Sequence, residues 1–383
     1  MVDAQQDILF IYLQHEFKTE NPSSNGSFDN TLIAELLNAD IGMPLASSGE
    51  MLIDERDDAL GKVLAMDDLA DGGGFPKISS LYHPHFCVID DATMSDQVRL
   101  TTGNIANITD YDVLIVSHLW AYNHYIDYLA REFPEQTLIA IQEGSIQDVI
   151  RYSSGLQVQH RQVLDAVDGY ITENREYDSY VRHFVDEVHS IPLLIPDGQF
   201  ENVSPRKKEN RICIGVTTWN VDMSNFYTNL LVVDALRQRG FDLTAELVGV
   251  KDFQQKMLAE FSDLPFVETV NYIKDGFYEY LSQYRFAVLL TSRATAGRVS
   301  AECAGVGVPV IGNQENDLQR RCYPDLSIGP YDITEAISLG ERLLTDEDFY
   351  EGVVDQASDT VSSLQHHQRV ATGLREFVSR VHN

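Results

Sequence analysis

The chain has 383 residues, enough for two domains, and at 44% hydrophobic and 23% charged its composition excludes a disordered or fibrous protein. It carries 59 acidic against 28 basic residues, a net charge of −31. A surface of that sign repels nucleic acid and anionic membranes, which excludes wholesale electrostatic binding to either.

The first predicted strand is ILFIYLQ at 8–14. A polar loop, HEFKTENPSSNGSFDN, leads to the helical pattern TLIAELLNA at 31–39. Between 40 and 105 the pattern is irregular, with a helix predicted around 55–70, a DGGG break at 71–74 and the apolar piece FCVID at 86–90. From residue 111 apolar strands alternate with helices. YDVLIVSH (111–118) precedes LWAYNHYIDYLAREF, and TLIAIQ (137–142) precedes a helical region over about 145–166. DGYIT (168–172) precedes ENREYDSYVRHF, and VHSIPLLIP (188–196) closes the series. Such alternation predicts a parallel sheet with crossover helices.

Residues 197–210, DGQFENVSPRKKEN, break the rhythm with polar residues, Pro205 and the basic cluster Arg206, Lys207 and Lys208. The alternation then restarts with RICIGVT (211–217), YTNLLVVDALRQRG and LTAELVGV (243–250). A helix at 252–261, FVETV (266–270), a helix at 275–284 and FAVLLT (286–291) follow, and ATAGRVSAECAG leads to VPVIGN. The last 40 or so residues carry apolar positions spaced three and four apart, a helical signal. The expected architecture is α/β: two Rossmann-like, doubly wound domains over 1–200 and 211–345, joined by a linker at 201–210. Helices over 346–383 are expected to pack back toward the N-terminal domain. Ligands in such sheets bind beyond the carboxyl ends of the strands, and clefts between domains are favoured sites.

Acid-rich composition with only eight lysines is typical of proteins working in concentrated salt, where screening shortens self-repulsion to about 3 Å at 1 M. The alternative is an acidic protein of an ordinary cytoplasm. Cys87, Cys213, Cys303 and Cys322 are scattered with no CxxC pair, as expected of reduced thiols in a cytosolic protein. MVDAQQDILF has an acid where a signal peptide carries basic residues, and no apolar run approaches the roughly 20 residues that span a bilayer. A cytoplasmic protein without stable membrane insertion is expected.

Two α/β domains with GRVSAECAGVGVPVIGN late in the second resemble a GT-B glycosyltransferase, most of all the retaining family 4 (glycosyl transferases group 1) enzymes. ECAGVGVPVI at 302–311 is similar to that family's E-A-x-A-x-G-x-P-V-[IV]. DVLIVSH (112–118) resembles its strand ending in histidine, YITENREYDSYVRHF (170–184) its strand and helix before the linker, and the loop with Gly26 its glycine-containing loop after the first strand. Two departures stand out. The family's glutamate eight residues before the position of Glu302 is Ala294 here, and TTWNVDMSNFYTN lacks the arginine and lysine that usually face the donor diphosphate.

The resemblance implies a nucleotide-diphospho-sugar donor in the second domain, a glycan, lipid-linked or protein acceptor in the first, and no metal or other cofactor. Glu302 would accept hydrogen bonds from ribose hydroxyls. Outside the family's pattern, Arg298, with the helix-start amides of Gly297, Arg298 and Val299, could supply the missing charge for the diphosphate. The other reading of this stretch is an i, i+4 ion pair on a helix surface. His118, at the carboxyl end of a strand, could bind the transferred sugar or move a proton, or cap a helix. Glu143 could bind the acceptor hydroxyl, or be an acid favoured at a helix start. Gly26 and Ser27 could approach a sugar or phosphate, or form an ordinary turn. His83, His85 and Cys87 alternate along a possible strand near Asp90, but Pro84 and zinc's need for four ligands favour a plain strand over a metal site. The expected function is sugar transfer from a nucleotide-diphospho-sugar to an acceptor hydroxyl. The alternatives are a non-catalytic GT-B-like binding or scaffold module and a nucleotide-sugar epimerase on the same fold.

Overall fold

The structure is a computed structural model that describes residues 7–11, 27–46, 94–100, 102–117, 123–142, 146–150, 154–195, 198, 200–201, 203, 208–215, 225–250, 258, 261, 263–271, 273, 276–364 and 367–383. It divides into two compact units, Met1–Ile191 with His367–Asn383, and Pro192–His366.

Among the described residues the first unit holds β1 (Ile8–Ile11), α1 (Ser27–Leu37), β2 (Asp40–Ala46), β3 (Met94–Leu100), β4 (Ile105–Asn107), β5 (Val113–Ser117), α2 (Asn123–Glu132), β6 (Thr137–Gln142), α3 (Ile146–Ile150), α4 (Ser154–Ala166), β7 (Gly169–Thr172), α5 (Arg175–Val181) and β8 (Val188–Ser190). Its sheet runs β4-β3-β2-β1-β5-β6-β7-β8. From β2 to β8 the neighbours are parallel, while β3 and β4 pair antiparallel at one edge. Central parallel strands are covered on both faces. Hence ILFI in β1 is buried at all four positions, and β1 begins as the first sequence pattern predicts but its described part ends at Ile11. β2 to β4 lie in the irregular stretch 40–105, where no alternation announces them. The helix expected around 55–70 and the FCVID piece lie outside the described residues. Ile126, Leu129, Val163 and Leu164 from α2 and α4 complete the core with Leu9, Leu114 and Val116.

The second unit contributes β9 (Glu209–Gly215), α6 (Phe226–Gln238), β10 (Thr244–Val250), β11 (Val267–Asn271), α7 (Phe277–Leu281), β12 (Tyr284–Leu289), α8 (Arg298–Gly305), β13 (Val310–Asn313), α9 (Asp317–Cys322), β14 (Ser327–Ile328), α10 (Ile333–Thr345) and α11 (Glu347–Leu364). Its parallel sheet runs β11-β10-β9-β12-β13-β14. Cys213, Cys303 and Cys322 are free and buried in it.

The residues expected as one helical tail over 346–383 divide between the units. α11 packs on α8, α9 and α10, burying Tyr350, Val353, Ala357 and Val361. The last helix, α12 (Gln368–His382), packs on α1. Phe377 of α12 reaches Gly169 in β7, where a β-carbon would fall 3.0 Å from its ring, and stacks on His189 at 5.2 Å.

Candidate functional site

β9 is the first strand of the second unit, yet it lies inside that unit's sheet. β10 and β11 add to one side of it and β12 to β14 to the other. The winding reverses between β9 and β12, and the crevice beyond their carboxyl ends is where open α/β sheets bind ligands. The chain leaves β12 there as LTSRATAG and enters α8.

Four asparagines pin that connection. Asn229 Oδ1 accepts from Leu290 N at 3.0 Å, and Asn225 Nδ2 donates to Leu290 O at 2.6 Å. Asn313 Nδ2 donates to Thr291 O at 2.9 Å, and Asn316 Oδ1 accepts from Thr295 N at 2.8 Å. The amides of Asp317 and Leu318 donate to Thr295 O and Ala296 O at 3.1 and 2.9 Å. A buried amide side chain that satisfies a loop's backbone groups removes the desolvation cost of those groups and holds the loop in one conformation. Gly297 ends the loop at φ +89°, with Leu318 N and Gln319 N 3.3 Å from where a β-carbon would sit. A side chain there would be strained by the dihedral and crowded by backbone.

α8 is then set by its buried face. Ser300 Oγ donates to Gln319 Oε1 at 2.7 Å, and Gln319 Nε2 donates to Val310 O at 2.8 Å. A β-carbon at Gly215, the last residue of β9, would lie 3.8 Å from Val299 Cγ1. The first turn of α8 therefore stands over the end of β9, with Gly297, Arg298 and Val299 beside the crevice. The first-turn amides of a helix have no partner within it, and the macrodipole makes that end favourable for anions.

Arg298 and Glu302 lie one turn apart and are both half-buried. Glu302 Oε1 accepts from Tyr278 Oη at 3.5 Å. Tyr278, in α7, meets the ring of Phe200 edge-on at 5.1 Å. Phe200 in turn covers Gly305, one turn beyond Glu302. Neither Tyr278 nor Phe200 carries a sequence signal that separates it from a core aromatic. Beneath them Cys303 is fully buried, and burial, then Cys213 and Glu302, hold its thiol well above the ordinary range, as a protonated, inert group. Ala294 is fully buried. Residues 216–224, at the place of the family's basic pair, lie outside the described residues.

In the first unit the winding reverses between β1 and β5. β5 ends at Ser117 and β6 at Gln142, so the residues that follow are His118 and Glu143. Both lie outside the described residues, as do Gly26, His83, His85, Cys87 and Asp90, while Ser27 is the first residue of α1. Sequence reasoning passed over Glu173 and Asn174, which directly follow β7 and are buried. Asn174 Oδ1 caps α5 by accepting from Tyr177 N at 3.0 Å. Among the described residues no group of three His, Cys, Asp or Glu side chains could hold a metal ion, and no helix is long and apolar enough to cross a membrane.

No protein-family model matches the chain, and no curated protein matches it. Solved structures match it over nearly its whole length. Sucrose-phosphate synthase from Thermosynechococcus elongatus does so with a TM-score of 0.62 at 13% identity, covering 98% of this chain and 99% of its own. Trehalose-6-phosphate synthase OtsA gives 0.64 at 10% identity with 98% and 99% coverage. HepE of Anabaena, solved with UDP and glucose, gives 0.60 at 11% identity with 98% of each chain covered. These are GT-B glycosyltransferases, and the chain has their α/β architecture, as its sequence pattern predicts.

Proposed function

We propose that the protein is a glycosyltransferase that moves a sugar from a nucleotide-diphospho-sugar to an acceptor hydroxyl. The observation that carries this reading is the placement of Arg298 and Glu302. They stand on one short helix that rises from the crevice between the ends of β9 and β12, in a fold whose solved neighbours include HepE with bound UDP and glucose. Glu302 accepts hydrogen bonds from the ribose. Arg298 and the amides of Gly297 and Val299 hold the diphosphate. Charge grows on the leaving diphosphate as the glycosidic bond breaks, and a guanidinium and oriented amides already in place stabilise it without reorganisation.

The second unit takes the donor and the first the acceptor, a glycan, lipid-linked or protein hydroxyl. His118 and Glu143 serve that side, and Gly26 and Ser27 approach the sugar or phosphate. A hexosyl donor, retention of configuration and the lack of a metal or other cofactor follow from the resemblance to the family 4 enzymes alone. The enzyme works in the cytoplasm of a high-salt cell. Ala294 and the absent basic pair favour a second reading, a GT-B-like module that binds without transferring.

A thermal-shift screen of nucleotide sugars in molar salt tests the binding, since a ligand of the folded state raises the midpoint by mass action. Product analysis with and without acceptor then tests transfer. A shift with release of nucleoside diphosphate and a new glycoside supports the enzyme. A shift with no turnover supports the binding module, an epimerised donor formed without acceptor supports an epimerase, and no shift with any nucleotide sugar overturns the reading.

A further inference from the structure

We infer that Tyr278 is a positioning residue for the nucleotide ribose, acting through the Glu302 carboxylate, and that Phe200 braces it. This rests on the reading of Glu302 as the ribose acceptor. Tyr278 Oη stands 3.5 Å from Glu302 Oε1. A glutamate side chain on a helix rotates about three bonds, and its terminal carboxylate torsion is broad. A phenol that donates to one oxygen narrows that torsion and turns the second oxygen in a defined direction.

Tyr278 is itself held. Its ring packs edge-on against Phe200 at 5.1 Å and tilted against Phe277 at 5.5 Å. Phe200 is seated on the bare backbone of Gly305, where a β-carbon would fall 2.3 Å from Cδ2. Glu302 and Gly305 are three residues apart and so share a face of α8. The helix thus offers its acid at one position and a glycine at the next turn, and the Phe200–Tyr278 pair spans both. Geometry held by packed neighbours is what keeps a binding group in its productive orientation before ligand arrives.

Calorimetry in molar salt with UDP, GDP and ADP, and with their 2′-deoxy forms, tests the inference on the parent, Tyr278→Phe, Glu302→Gln and the double variant. For the diphosphate that binds best, the parent is expected to favour the ribo form about tenfold. Tyr278→Phe should weaken the ribo form about three- to tenfold and leave the 2′-deoxy form within twofold. In the double variant, Tyr278→Phe should add nothing to Glu302→Gln. The thermal midpoint of each variant shows that it is folded.

Equal weakening of both forms by Tyr278→Phe would make Tyr278 a packing residue and overturn the inference. So would unchanged binding, or additive losses in the double variant. If Tyr278→Phe does not fold, Phe200→Leu is measured instead and must compress the ribo preference in the same way. The underlying reading fails separately: parent protein that binds no nucleoside diphosphate, or Glu302→Gln that keeps the full ribo preference, removes Glu302 from the ribose and this inference with it.

Discussion

Phe200 and Gly305 are complementary to the atom: a β-carbon on Gly305 would lie 2.3 Å from Cδ2 and 2.4 Å from Cε2 of the Phe200 ring. Ring or helix must move if that carbon is added. Gly305→Ala is expected to cost about 1–3 kcal/mol, the range for overpacking. Phe200→Ala vacates the space, so the loss from both substitutions should be smaller than the sum of the single losses by about 0.5 kcal/mol or more. Denaturant unfolding of the four proteins reads this directly, and additive losses would contradict the contact.

Arg298 and Glu302 should separate by ligand rather than by stability. An i, i+4 pair on a helix is worth only about 0.3–0.5 kcal/mol, so breaking such a pair should not shift the melting midpoint much. A charge-assisted hydrogen bond is worth roughly 1.5–3 kcal/mol. Arg298→Ala should therefore weaken nucleoside diphosphates about ten- to a hundredfold and the bare nucleoside far less. Glu302→Gln should weaken the whole series, and His118→Ala should lower transfer while leaving nucleotide affinity close to the parent's. Parent-like nucleotide binding by both α8 variants would reduce the stretch to a packed helix.

Ala294 occupies a fully buried position, where the resembled family carries glutamate. Restoring the acid should not restore a sugar contact. A carboxyl group placed there must be desolvated or protonated, and Ala294→Glu is expected to cost about 2 kcal/mol or more. A rise in transfer rate with unchanged stability would show that the side chain points into the donor pocket instead.

Glu246 is buried in β10 under three donors. Arg211 Nη1 reaches Oε1 at 2.7 Å, and the hydroxyls of Tyr280 and Tyr284 both reach Oε2 at 2.6 Å. Burial alone would raise its pKa, but Tyr280, Tyr284 and Arg211 together outweigh it and hold the carboxyl below the ordinary range. A carboxyl depressed in the folded state binds fewer protons than in the unfolded chain. Its contribution is fully present above the unfolded value of about 4.3 and is lost as pH falls through the lower folded value. Glu246→Gln should cost about 1.5–3 kcal/mol at neutral pH, because it removes the charged acceptor shared by the two tyrosine hydroxyls, while Arg211 keeps Glu209 at 2.8 Å and Gln283 at 2.7 Å. It should also flatten the acid limb of stability against pH. An unchanged acid limb would contradict the arrangement.

The charge of −31 is expected to make folding depend on salt. At low ionic strength the Debye length grows to about 30 Å at 0.01 M and the self-repulsion of the surface is no longer screened. Circular dichroism before and after dialysis from molar salt should show a lower melting midpoint or precipitation. A midpoint that does not move would set aside the high-salt reading.

Periodicity made most of the second unit legible, because its strands and helices are short, regular and buried in the way their patterns require. RICIG, TAELVGV, FAVL and VIG fall on strands, within one or two residues of the predicted bounds, and a glycine before RVSAECAG marks where α8 begins. β2 to β4 were not legible: β3 and β4 are antiparallel strands at the edge of the sheet, and MSDQVRL in β3 is solvated on one side and carries few apolar residues. The split of the tail into α11 and α12 was not legible either, since an amphipathic helix declares that it has an apolar face but not which surface will cover it. At the candidate site, residue order alone brings Arg298 and Glu302 together, for an α-helix places i and i+4 on one face whatever surrounds it. Tyr278, Phe200 and the four asparagines join them only in the folded chain. Their partners are up to 105 residues away along the sequence, and a contact between distant residues follows from strand order and packing, which no local pattern encodes.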